Sequence, residues 1–343
     1  MLVNRSYSFF KVLKWTRIDI LKFTIIATIP VVLYKVLGLQ WLALPWMPTT
    51  LVGTAVAFYV GFKNNSSYDR LWESRKIWGA IVNDSRTWGV KVLDFINNDF
   101  ANDPVTDQQL KAIHQRLIYR HIAWLTALRF QLRTSRTWEH PRPNLDKARQ
   151  KKGFDIVEFR TELSDEISPY LERTEKEDVL TRKNAATQLI KRQPKDLKEL
   201  RKMGLIDDFR HMSLADTLEK FYTGQGKSER IKNYPFPRQY ATLNGFFIWM
   251  FIVLLPLSMI KEFDNIKVWG ESMVWLTIPF CVMVSWVFNT MEKVGDYSEN
   301  PFEGGPNDTP ITALSRTIEI DLRDMLDESE LPKSIPAINH ILS

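Results

Sequence analysis

The chain has 343 residues, 45% of them hydrophobic and 25% charged, with a formal net charge of +6. Its one cysteine, Cys281, excludes an intrachain disulfide and a multi-cysteine metal site, and the basic balance lacks the aromatic and basic signature of a nucleic-acid module. The mean hydropathy of −0.22 averages two unlike populations, because 27 positions from Val36 to Phe62, 22 from Gln239 to Ile260 and 19 from Ser272 to Thr290 hold no charged residue, and runs of that length can cross a bilayer.

In chain order, residues 1–22 carry Arg5, Lys11, Lys14, Arg17 and Lys22 against Asp19 alone, a cytoplasmic start by the positive-inside rule. The apolar segment Phe23 to Leu39 follows. No small-residue cleavage site succeeds it, so it reads as a first span and not as a signal peptide. Pro45 and Pro48, in WLALPWMPTT, mark a turn and a helix start, and the second span runs to Phe62. Residues 23–62 thus predict an antiparallel pair with a short external loop.

Residues 63–238 are polar, carry both charge signs and show helical apolar spacing, as in HQRLIYRHIAWLTALRF, which predicts a cytosolic helical region. Its most charged section, about 141–200, reads as a solvated helical insert or loop. NYPFPRQY leads into residues 239–290, where two further spans flank the near-neutral turn KEFDNIK. In 291–343, Ile311, Leu314, Ile318, Leu322 and Met325 recur at steps of three and four, an amphipathic cytosolic helix. Its acids, Glu319, Asp321, Asp324, Asp327 and Glu328, read as its solvated side and as salt-bridge partners. The fold class is an all-α membrane protein with four transmembrane helices and a large helical cytosolic region. A cytoplasmic position of both termini follows from the charge pattern.

The stretch FYVGFKNNSSYDRLWESR, Phe58 to Arg75, passes from membrane-grade apolar sequence to amides, hydroxyls and charges with no proline or glycine between Lys63 and Lys76. If one helix continues through it, the lower half cannot face lipid, where unpaired polar groups are costly, and must line water or pack in protein. Thr54, Phe58 and Phe62 fall on one stripe, while Gly53, Ala55, Ala57 and Gly61 are small enough for close helix approach. Rings of such a stripe from several copies would form an apolar constriction that gates by dewetting. Periodicity alone fits plain core packing better.

An enzymatic site finds little support. His114 and His121, with Glu139 and His140 nearby, are two helical turns apart, about 10 Å, too far to share an ion without a third element. No Walker-type loop, nucleophile elbow or paired-cysteine motif is present.

Three stretches, GFKNNSSYDRLWESRKIWG (61–79), NYPFPRQY (233–240) and SENPFEGGPNDTPITALSRTIEIDLRDML (298–326), resemble the bestrophin family, in particular its bacterial branch. The resemblance implies a homopentameric ion channel around one axial pore. Its narrow neck would be formed by Thr54, Phe58 and Phe62, with Thr54 smaller and more polar than the Phe or Ile common in the family. It also implies a cytosolic aperture, which the stretch GLIDDFRHMSLADTL places at Phe209, or at Ile206 or Arg210 in a neighbouring register. Asn64, Asn65 and Tyr68 would line the vestibule or bond between subunits. Animal members are calcium-activated through an acidic clasp after Asn-Pro-Phe. Here the run reads EGGPND and only Asn300 and Asp308 keep matching positions, so a metal site of the animal type is not expected.

The sequence therefore predicts a channel for small monovalent ions, anions favoured, that is not an enzyme and uses no cofactor. Its partners are monovalent ions, further copies of itself and the bilayer, with no nucleic acid. The alternative is a membrane-anchored cytosolic scaffold that does not conduct.

Overall fold

The computed structural model describes residues 1–4, 8–141, 153, 155–268 and 271–343. Arg5 and the stretch 142–152 with 154, which belong to the expected basic start and the expected charged insert, lie outside the described residues. Almost all regular structure is helical: α1 (Phe9–Lys35), α2 (Trp46–Phe95), α3 (Asp107–Arg133), α4 (Leu163–Ile167), α5 (Arg173–Leu180), α6 (Ala185–Lys202), α7 (Asp208–Asn233), α8 (Arg238–Asn265), α9 (Thr277–Ser298) and α10 (Ile311–Met325). A two-residue antiparallel pair, Lys267–Val268 with Glu271–Ser272, lies between α8 and α9. The chain divides into two units, one of residues 4–69 and 236–299, the other of 1–3, 70–235 and 300–343.

In the unit of residues 4–69 and 236–299, α1, the N-terminal half of α2, α8 and α9 share a core of Phe23, Ala27, Val56, Val60, Ile248, Phe251, Ile252, Leu255 and Cys281. The approach of α2 to α8 is tight at Gly53, where a Cβ would stand 2.7 Å from the Phe251 ring. Of the small residues expected to admit a neighbour, Gly53 does so within the chain, while a Cβ at Gly61 would meet nothing within 4 Å. At the far end, Tyr34 donates a 3.0 Å hydrogen bond to Asp264. Among the described residues, three helical stretches, Gln40–Phe95, Arg238–Asn265 and Val274–Ser298, are long and apolar enough to cross a membrane. The expected first span is weaker, because Lys22 and Lys35 of α1 bracket twelve uncharged residues, about 18 Å of helix against a hydrocarbon core of about 30 Å.

In the other unit α3 is the central element. Leu117, Ile118, Ile122, Trp124, Leu125 and Leu128 are buried against Trp78, Ile81, Trp88 and Val92 of α2, Leu189, Ile190, Leu197 and Leu200 of α6, and Leu214, Leu218 and Phe221 of α7. A capping box starts α3: the Thr106 hydroxyl accepts from the Gln109 amide at 3.2 Å and the Gln109 side chain accepts from the Thr106 amide at 2.9 Å. Residues 155–200 differ from the solvated insert expected of them. Four of their carboxylates are internal partners of buried arginines on α3: Arg120 pairs with Glu175 at 2.6 Å and Asp196 at 2.5 Å, and Arg129 with Glu158 at 2.7 Å and Glu166 at 3.1 Å. A buried guanidinium requires such partners, so a charged segment covers the core here. Helix α10 buries Ile311, Ile318 and Leu322 and holds Arg86 through Asp321 at 2.8 Å.

The two histidines of α3 are packing residues. His114 Nε2 is 2.8 Å from the Ile96 carbonyl. His121 Nε2 lies 2.9 Å from Ser85 Oγ, and since the Ser85 hydroxyl donates to the Ile81 carbonyl at 2.6 Å, the imidazole is the donor. Burial against Trp88, Trp124 and Phe221 pushes its pKa down to about 3. A folded pKa below the ordinary 6.5 gives stability that is fully present above pH 6.5 and lost as the pH falls toward 3, at about 1.4 kcal/mol per pH unit. Thermal unfolding of the purified protein between pH 7.5 and 4.5 should therefore be less pH-dependent in His121→Leu than in the native chain; parallel profiles would contradict this.

Candidate functional site

Helix α2 runs 50 residues without interruption. Along its N-terminal half the inner face is buried, through Thr49, Gly53, Val56, Val60, Lys63 and Ser67, and the opposite face carries exposed Leu51, Thr54, Phe58, Phe62, Asn65 and Tyr68. Phe58 is 76% and Phe62 56% exposed, a large unspent apolar area on one stripe. Leu51, which lies on the same stripe two turns before Phe58, was not singled out by spacing at steps of four, although a step of seven finds it. The Thr54 hydroxyl donates to the Thr50 carbonyl at 3.0 Å. Its proton is thus used inside the helix, which makes the position less polar than its residue type implies. The ring of Tyr240, in the first turn of α8, lies 5.8 Å from that of Phe62, a contact between two of the motifs that spacing could not connect.

Directly after Phe62 the polar half begins, and its first residue turns inward. Lys63 is 2% exposed. Its Nζ lies 2.6 Å from Glu292 and 3.7 Å from Asp296, both on α9, and Asn244 of α8 donates to the second Glu292 oxygen. Asn64 also turns inward, with its Oδ1 so close to α9 that a Cβ on Gly295 would overlap it. Asn65 and Tyr68 lie on the exposed face. Among the described residues, Asn64 Oδ1, Ser67 Oγ, Asn244 Oδ1 and Asn289 Nδ2 are buried without a hydrogen-bond partner. In the other unit, Arg70 donates to the Tyr234 and Ile231 carbonyls at 2.9 and 3.0 Å.

The second group of candidate residues surrounds the start of α7. Asp207 caps the helix by accepting from the Arg210 amide at 2.9 Å. Arg210 is held by Asp99 and Asp207, each at 3.3 Å, by Asn97 at 3.1 Å, and over the Phe100 ring at 5.0 Å. Ile206 is 2% exposed inside the core, whereas Phe209 is 89% exposed. Of the three registers, the structure presents Phe209 outward, fixes Arg210 as the clamp beside it and removes Ile206 from the surface.

The stretch after Asn-Pro-Phe is closed by its own side chains. Asp308 accepts from the amides of Gly304 and Gly305 at 2.7 and 2.8 Å, with Gly304 at a φ of 85°, a conformation that favours glycine. Asn300 donates to Glu303 at 2.8 Å, and Glu303 accepts from the His140 amide at 3.1 Å. Burial and the neighbouring Glu303 push the Asp308 carboxyl up to about 6. The carboxylate serves the loop that carries it.

An almost wholly helical chain with membrane-length apolar helices, one of them continuing into polar sequence, defines a helical membrane protein. The chain belongs to the bestrophin family, matching the description "Bacterial/Fungal Bestrophin protein" over residues 10–324. It is 24% identical over 307 residues to the voltage-dependent anion channel-forming protein YneE of Escherichia coli K12, covering 90% of this chain and 84% of that protein. It is 26% identical over 297 residues to the voltage-dependent anion channel-forming protein RSc3414 of Ralstonia nicotianae, covering 86% and 82%. Among solved structures, a bacterial bestrophin homologue from Klebsiella pneumoniae superposes with a TM-score of 0.72 at 21% identity, over 91% of this chain and 98% of that one.

Replacing Lys63 by Met leaves Glu292 buried without its ammonium, a change of about 3–5 kcal/mol in the destabilising direction. Adding Glu292→Gln should recover at least half of the loss in melting temperature of the detergent-purified protein. A double variant as unstable as the single one would show that the pair does not organise this region.

Proposed function

We propose that the protein is a homopentameric channel for small monovalent anions, with α2 of each copy lining one axial pore. The observation that carries this reading is the exposed stripe of Phe58 and Phe62 on a helix whose opposite face is buried and whose sequence turns polar one residue later. A lone chain has no use for that stripe, whereas a ring of copies makes of it an apolar collar. The relatives' designation as anion channel-forming proteins supports the sign of the ion. Thr54, Phe58 and Phe62 form the neck, Asn65 and Tyr68 follow it toward the vestibule, and Phe209 forms the aperture.

The neck works as a barrier by replacing bulk water with ring edges and methyl groups, so an ion crosses only when the collar is wide enough to stay wet. Lys63 adds no bare positive ring beneath it, because Glu292 and Asp296 neutralise the ammonium. Preference for anions then rests on gentler terms, among them the positive edges of phenylalanine rings. Four spans, α1 included, place both termini and the unit of residues 70–235 on the cytoplasmic side of the inner membrane.

Purified protein in planar bilayers under a tenfold potassium chloride gradient should give a current reversing near the chloride equilibrium potential. Phe58→Ala with Phe62→Ala should raise basal conductance several-fold. No current from either form would turn the assignment toward a non-conducting membrane scaffold, and reversal near the potassium potential would keep the channel and invert its selectivity.

A further inference from the structure

The first four turns of α1 carry a charge pattern that conduction does not use. Lys11, Lys14, Arg17 and Lys22 are all exposed. At 100° per residue they fall within an arc of about 140°, interleaved with the exposed side chains of Ile18 and Leu21. The opposite face is the packed one: Thr16 and Phe23 are buried, and Thr16 accepts a 2.8 Å hydrogen bond from the Trp286 indole.

Among the described residues, none supplies an anion to this face. Asp19, the sole acid of α1, is taken by Lys293 of α9 at 2.5 Å, whose ammonium also sits 5.7 Å from the Trp15 ring. Trp15 in turn meets Tyr297 edge-on at 5.7 Å. With Asp19 neutralised, none of the four exposed cations has an ion-pair partner among the described residues. The long stems of lysine and arginine can lie along apolar surface while their heads reach a phosphate layer, and indole and phenol rings side by side are typical of the headgroup level.

We propose that this face of α1 binds anionic phospholipid, with the phosphate headgroup on Lys11, Lys14, Arg17 and Lys22 and an acyl chain along Ile18 and Leu21. Charge complementarity selects the lipid. A free phosphate has no use for the exposed apolar side chains between the cations, and a second copy meeting this face with its own basic residues would be repelled. Each basic residue near an anionic lipid surface is worth about a fivefold gain in affinity, so the set predicts at least a tenfold preference over a zwitterionic lipid. This site stands apart from the pore assignment, and its test needs no current.

The full-length protein in detergent is titrated with phosphatidylglycerol and, separately, with phosphatidylcholine of the same acyl chains, and bound lipid is counted by native mass spectrometry. The native protein should retain phosphatidylglycerol at tenfold lower concentration than phosphatidylcholine. Lys11→Gln with Lys14→Gln, Arg17→Gln and Lys22→Gln should lose that preference while keeping phosphatidylcholine binding and the native oligomeric mass. Should the fourfold variant fail to fold, the pairs Lys11→Gln with Lys14→Gln and Arg17→Gln with Lys22→Gln should each lose some of the preference, and Lys11→Arg with Lys14→Arg and Lys22→Arg should keep it. Equal retention of both lipids by the native protein, an unchanged preference in every glutamine variant, or displacement of phosphatidylglycerol by millimolar inorganic phosphate would each overturn the proposal. Loss of oligomeric mass in the glutamine variants, with no lipid preference in the native protein, would assign the face to a second copy instead.

Discussion

A charge placed behind an apolar helix face has to be matched within reach of its own side chain, and Lys63 sets that demand for the unit of residues 4–69 and 236–299. Its ammonium is satisfied only if α9 brings Glu292 and Asp296 to it, and Glu292 in turn engages Asn244 of α8. Three helices are thereby fixed in register by one buried cation. Lys63 points away from Phe58 and Phe62 around α2, so the same contact that holds its ammonium inward turns the phenylalanines outward. Losing one partner of such a pair strands a charge in a poor solvent, which is why the arrangement tolerates little slippage.

Much of this was legible in the residues. The shared stripe of Phe58 and Phe62, the continuity of α2 past Lys63 and the buried side of α10 at Ile311, Ile318 and Leu322 all follow from period and from the absence of helix breakers. Those signals are local: each can be read from residues within a few turns of one another. The family motifs added the neighbourhood of Phe209, Ile206 and Arg210, where a helix cap at Asp207 and the pairing of Arg210 with Asp99 leave Phe209 exposed.

What escaped the sequence was non-local. The partner of Lys63 was hidden, since nothing near it announces Glu292, 229 residues away. The charged segment around residues 155–200 read as solvated, since charge density is the usual mark of a surface; here Arg120 and Arg129 on α3 are buried and draw those carboxylates inward. Thr54 read as polar until its hydroxyl was found bonded to the preceding turn. In each case the residue type was right and its partner was invisible.

The division of α2 into a locked back and an open front also bears on how such proteins diverge. Gly53 against Phe251 and Lys63 against Glu292 leave the back few alternatives, because a substitution on either side must be answered across the interface. The side chains of Phe58 and Phe62 contribute little to the packing of their own chain and can be exchanged without disturbing it. Change is therefore cheap on one side only: the fold is kept in a structure 21% identical, and a substitution on the open stripe spares the scaffold that holds it.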